Sequence, residues 1–142
     1  MNARFSLAVH ILCLLATSPG ERLTSEFLAA SIGTNPVVIR RLLGSLRRAG
    51  LVNSKSAGGG GWRLGLPAGE ITLDLVHQAI SVGETVKIHR NSPNPNCPVG
   101  KGVRSALLGV YRRADQAIDR ELAELSVAGV LADVLEREQA SA

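Results

Sequence analysis

Aromatic residues are almost missing from this chain of 142 residues: two Phe, one Trp and one Tyr, 3% of the total. Proteins that hold single-stranded nucleic acid stack bases on aromatic rings, so this composition argues against that target. The core must come from Leu, Val, Ile and Ala, and a hydrophobic fraction of 45% is enough to build one. Cysteine is equally scarce. Cys13 and Cys97 lie far apart and make no disulfide framework, which points to a reducing, cytoplasmic setting. Phe5 to Ala16, preceded by Arg4, imitates a secretory leader. It is too short to span a bilayer and carries His10, so it is expected to be an amphipathic helix with no membrane role. No spacing pairs a nucleophile with a base, and a non-enzyme is expected. Acid is missing where it matters most. Between Leu23 and Leu66, the cations Arg40, Arg41, Arg47, Arg48, Lys55 and Arg63 face the single acid Glu26. Net charge is +4, and this local asymmetry is what a duplex phosphate backbone requires.

Periodicity and punctuation divide the chain. Leu7, Ile11, Leu14 and Leu15 recur at helical spacing and predict a first helix over Asn2–Thr17, ended by Ser18-Pro19-Gly20. Thr24, or its competitor Ser25, caps a short second helix with Phe27, Leu28 and Ile32 as its apolar face. Gly33 suits the left-handed position that ends it. Asn35-Pro36 restarts a helix with a capping side chain and a proline at the first helical position. Ile39, Leu42, Leu43 and Leu46 form its buried stripe, and Gly50 ends it. Two extended segments follow, from Leu51-Val52 and over Trp62-Arg63-Leu64, with Ala57 to Gly61 as a flexible tip. No Gly-Lys-Ser/Thr follows those glycines, so this is a hairpin tip rather than a nucleotide phosphate loop. Helix, turn, basic helix and glycine-tipped hairpin make a winged helix-turn-helix.

Beyond a connector at Pro67–Glu70, a helix is expected over Ile71–Val82, with Thr72 as cap and Leu73, Val76 and Ile80 inward. A short strand over Glu84–Ile88 and an irregular loop over His89–Pro98 come next. Val99–Leu125 then reads as one helix of roughly 40 Å, longer than a small domain is wide. Its stripe of Val103, Ala106, Leu107, Val110, Ala114, Ala117, Ile118, Leu122 and Leu125 calls for a second copy. A last helix over Val127–Glu138 folds back. The fold class is mainly α with a small β-wing. Its expected parts are a DNA-binding domain at 1–70, a connecting helix and sensor-type loop at 71–98, and dimerisation helices at 99–142.

Leu42-Leu43-Gly44-Ser45-Leu46-Arg47-Arg48-Ala49-Gly50-Leu51-Val52 and Gly59-Gly60-Gly61-Trp62-Arg63-Leu64 carry a pattern that resembles the Rrf family of winged-helix regulators. That family includes IscR and NsrR, and the similarity runs over nearly the whole chain. The resemblance implies a homodimeric repressor with the third helix in the major groove of double-stranded DNA and the wing in the minor groove. Iron–sulfur relatives place three cysteines around Asn91–Arg104. This chain has only Cys97 there, and Cys13 sits in the wrong helix, so no iron–sulfur cluster or other cofactor is expected. Asn94-Pro95-Asn96-Cys97-Pro98-Val99-Gly100 is similar to the cluster-lacking, YwnA-like branch.

On this reading Thr24, Asn35, Val37, Arg40, Arg41, Arg47, Arg48, Lys55, Gly59, Gly60 and Arg63 touch DNA. Arg40 and Arg41 would read base edges, and Arg47, Arg48 and Lys55 would hold phosphates. Relatives carry an Arg in the wing where this chain has Ser56, and Lys55 or Arg63 would substitute. A symmetric dimer implies a pseudo-palindromic operator. Cys97 stands just before Pro98, where the helix dipole and Lys101 favour thiolate, and so is a candidate redox sensor for an unidentified oxidant or small-molecule effector. His77 and His89 lack ligand partners at metal spacing and are ordinary polar positions. The alternative function is a winged-helix protein–protein interaction module without specific DNA binding.

Overall fold

The protein, described by a computed structural model over residues 2–55, 60–82 and 94–142, places its core beneath the third helix. Helix α1 spans Ala3–Thr17, α2 Ser25–Ile32, α3 Pro36–Arg48, α4 Leu73–Ser81, α5 Pro98–Leu122 and α6 Val127–Ser141. Strands β1 (Val52–Lys55) and β2 (Gly61–Leu64) pair antiparallel, Val52 opposite Leu64 and Lys55 opposite Gly61. Leu23 adds a third, one-residue rung: its N–H donates to Trp62 O at 2.9 Å, and Trp62 N–H donates back at 2.8 Å. The wing is thereby stitched to the chain entering α2. The expected strand over Glu84–Ile88, the wing tip at 56–59 and residues 89–93 of the following loop lie outside the described residues.

Local chemistry sets the helix ends. Thr24, not Ser25, caps α2: its hydroxyl accepts the Phe27 N–H at 3.0 Å, while Ser25 is buried. Gly33 takes the left-handed conformation (φ +81°) that closes α2. Asn35 Oδ1 accepts the Val37 N–H at 2.8 Å and starts α3 at Pro36. Thr72 occupies the cap position of α4 but makes no side-chain cap bond. Its segment is held instead by backbone, Leu73 N–H to Leu125 O and Val127 N–H to Ile71 O, each 2.9 Å. Helix α5 stops at Leu122, short of the expected Leu125, and the Leu125 carbonyl accepts from the first residue of α4. Ser126 then caps α6.

The stripe of α3 is buried as its spacing requires, through Ile39, Leu42, Leu43 and Leu46. Two expectations shift. Helix α1 buries Ala8, Ile11, Leu12 and Leu15, with Leu7 and Leu14 only partly covered, so its inward face is rotated. Phe27 is 52% exposed, because Ser25, Leu28 and Ala29 take the inward face of α2.

Among the described glycines, Gly65 makes the tightest approach. Its N–H donates to Leu51 O at 2.9 Å, and a Cβ there would lie 2.5 Å from Gly50 O. Both neighbours are backbone and cannot swing aside. A Gly65→Ala protein should therefore lose about 1–3 kcal/mol of stability, read as a lower urea midpoint at unchanged m-value.

Candidate nucleic-acid interface

Recognition geometry begins with the face of α3 opposite its buried stripe. Val37, Arg40, Arg41, Gly44 and Arg48 share that face, at helical spacings of three and four. Val37 is 49% exposed. Arg41 is exposed, and its guanidinium has no hydrogen bond or ion pair among the described residues. Arg40 differs. Its Nη2 donates to Glu26 Oε1 of α2 at 2.8 Å. The Arg40 guanidinium holds the Glu26 carboxyl below the usual carboxylate range. A lowered carboxyl keeps its charge until pH falls through that lower value, so this brace persists into mild acid.

The remaining cations flank that face. Arg47 lies over Trp62, 5.9 Å from the ring centroid, a cation–π contact that ties the end of α3 to the wing. Arg48 Nη2 donates to Ser45 Oγ at 3.2 Å. Arg63 Nε donates to Asn53 Oδ1 at 3.2 Å across the two wing strands and stays exposed. Lys55 ends β1 in solvent, and Gly60 is exposed beside it; Gly59 lies outside the described residues. Thr24 and Asn35 spend their side chains as helix caps while remaining at the exposed start of α2 and α3.

Sequence reasoning named these cations but missed what orients them. Glu26, Trp62, Asn53 and Ser45 each hold one arginine. The signal for Glu26 was present, since it is the one acid in the segment. The others required knowing which strands and turns meet.

At the far side, His77 Nδ1 of α4 meets Asp119 Oδ1 of α5 at 3.0 Å, and the Phe5 ring packs edge-on to His77 at 5.8 Å. This contact, with buried Leu122, anchors the C-terminal end of α5 to the body. Its first two-thirds exposes apolar side chains, among them Val99 (72%) and Val110 (46%). Cys97 is the N-cap of α5, with its Sγ 3.5 Å from the Gly100 N–H.

A cationic helix beside a hairpin, joined to a long helical arm, defines a winged helix-turn-helix regulator. The chain belongs to the Rrf2 family, described as iron-dependent transcriptional regulators, whose profile it matches over residues 1–133. These are regulators, not enzymes. The chain is 37% identical over 131 residues to YwnA of Bacillus subtilis (strain 168), named as an HTH-type transcriptional regulator, covering 92% of this chain and 96% of YwnA. It is similar to a crystal structure described as a DNA-binding protein, at 35% identity and TM-score 0.72, covering 91% of this chain and 99% of the other. A transcriptional regulator from Lactobacillus plantarum superposes over 100% of both chains at 25% identity and TM-score 0.79. Among the described residues no helix is long and apolar enough to cross a membrane.

Iron is the point on which this chain and its family's description part. Its two thiols sit on separate elements, Cys13 within α1 and Cys97 at the start of α5. Burial pushes the Cys13 thiol up, away from the thiolate a metal needs. No three His, Cys, Asp or Glu side chains gather at metal distance among the described residues. That donor set does not fit an iron–sulfur cluster.

Proposed function

We propose that the chain works as a homodimer that binds a pseudo-palindromic duplex operator, represses the adjoining promoter in the cytoplasm, and responds to oxidants through Cys97. The observation that carries the reading is the exposed face of α3, where Val37 and Arg41 flank the Glu26-braced Arg40. Arg41 suits a guanine edge in the major groove. Arg47, Arg48, Lys55 and Arg63 suit phosphates on either side and set the register. The uncovered row on α5 supports the second copy, and two-fold symmetry would space the half-sites about 34–36 Å apart or a multiple of that.

Cys97 supports the regulatory part by its place. A peroxide is the oxidant class it would meet. The thiolate sulfur attacks one peroxide oxygen, the O–O bond breaks, hydroxide leaves, and cysteine sulfenic acid remains. The bulkier, more polar group no longer caps α5 as the thiol does, which would reorient the arm.

Selection of bound duplexes from a random pool, with and without peroxide, tests the whole reading. It should return a two-fold-symmetric sequence whose affinity falls steeply between low and moderate salt. Peroxide should release it from the parent protein and not from Cys97→Ser. Enrichment of no sequence would leave the surface to protein partners, and equal release from Cys97→Ser would remove the sensor.

A further inference from the structure

We infer that Val37 reads the 5-methyl group of a thymine beside the guanine assigned to Arg41, and that Gly44 lets α3 lie close enough for so short a side chain to reach it. The inference rests on the duplex reading above and names a base within it. Of the large apolar side chains on α3, Val37 alone is exposed: Ile39, Leu42, Leu43 and Leu46 are buried, and Val38 packs against the core. The protomer itself gains little from valine there. A β-branched residue lowers helix propensity slightly, and an exposed one buries little. Its companions on that face are Arg40, Arg41 and Arg48, so one apolar group stands among cations.

Thymine's C5 methyl is the apolar group that the major groove displays, and 5-methylcytosine carries the same methyl on the same ring atom. A valine side chain makes no hydrogen bond, so whatever it discriminates is that methyl. Asn35 Oδ1 accepts the Val37 N–H at 2.8 Å and fixes Val37 in the first turn of α3, the part of a recognition helix that meets base edges. On a helix valine keeps essentially one rotamer, so its methyls arrive with little freedom to lose. Arg41 is one turn on, with its Cβ about 5–6 Å away, which suits an adjacent base pair.

Gly44 is the second observation. It continues the line of Val37 and Arg41 along the same face. A Cβ there would meet only the Arg48 guanidinium, at 3.6 Å, an ordinary contact. Its φ is not positive, so the backbone does not require glycine either. Glycine inside a helix is less stable than alanine. The reason for it therefore lies outside the protomer, and a helix backbone pressed toward base pairs supplies one.

Fluorescence anisotropy with duplexes that differ by one methyl per half-site tests this. In the operator that selection returns, deoxyuridine replaces the thymine beside the guanine in both half-sites, and affinity should fall about tenfold. In a second pair, cytosine or 5-methylcytosine takes that place, and the methylated base should bind more tightly by about the same factor. Val37→Ala should shrink both preferences to about twofold or less. Gly44→Ala should raise the urea midpoint and yet lower operator affinity about tenfold or more, two readouts that a purely structural glycine would move together. Equal affinity for thymine and deoxyuridine, a preference that survives in Val37→Ala, or an operator with no thymine beside that guanine overturns the assignment while the duplex reading stands. A Gly44→Ala protein that binds like the parent overturns the close approach. A parent that enriches no sequence removes the duplex reading and this inference together.

Discussion

Arg41→Ala should weaken binding to the selected operator by on the order of 10²- to 10⁴-fold, while affinity for unrelated duplexes falls only slightly. One bidentate contact to guanine discriminates by about 1–3 kcal/mol, and a symmetric dimer loses two. The side chain is exposed on α3 and has no hydrogen bond or ion pair among the described residues, so its removal should leave the fold intact. Arg40→Ala should cost less, because Glu26 already neutralises part of its charge at 2.8 Å. Fluorescence anisotropy with operator and scrambled duplexes, each across a salt series, separates the two cases. If Arg41→Ala weakens both duplexes equally, Arg41 holds phosphate and base reading lies elsewhere.

The second large effect concerns the arm. Val110→Asp should convert the protein to a monomer and lower operator affinity at least 10³-fold. Val110 is 46% exposed in the protomer, so a carboxylate there is hydrated and harmless until a partner tries to cover it. Two linked recognition helices bind their half-sites with an effective concentration in the millimolar range, and an unlinked one forgoes that gain. Light scattering reports the mass, and gel retardation reports the affinity. A dimeric Val110→Asp protein would place the interface on another face.

Much of the N-terminal half could be read from residues alone, because its signals are local. Asn35-Pro36, Thr24 and Gly33 act within a few residues of themselves, and each stands where those preferences put it. The stripe of α3 followed from spacing. Less was legible where distant segments meet. Helix α1 is apolar on most sides, so its spacing left the inward face ambiguous by one turn position. Phe27 looked inward by type, yet the short α2 has room for one inward face, and Leu28 and Ala29 hold it. Thr72 had the chemistry of a cap, but a backbone bridge to Ser126 serves that turn instead. For the candidate site, the cations were visible and their braces were not. Arg40 and Glu26 are 14 positions apart, and Arg47 meets Trp62 on a strand that pairs with both β1 and Leu23.

Helix α5 spans 25 residues, about 37 Å, and among the described residues it packs on the body near Ile118, Asp119 and Leu122, at its C-terminal end. Such a member behaves as a cantilever. A pivot of only about 10° at its root sweeps the free tip through roughly 6 Å. Cys97 rides at that tip and His77 sits at the root. A small displacement at the root is thus geometrically magnified along the beam toward the end that carries Cys97.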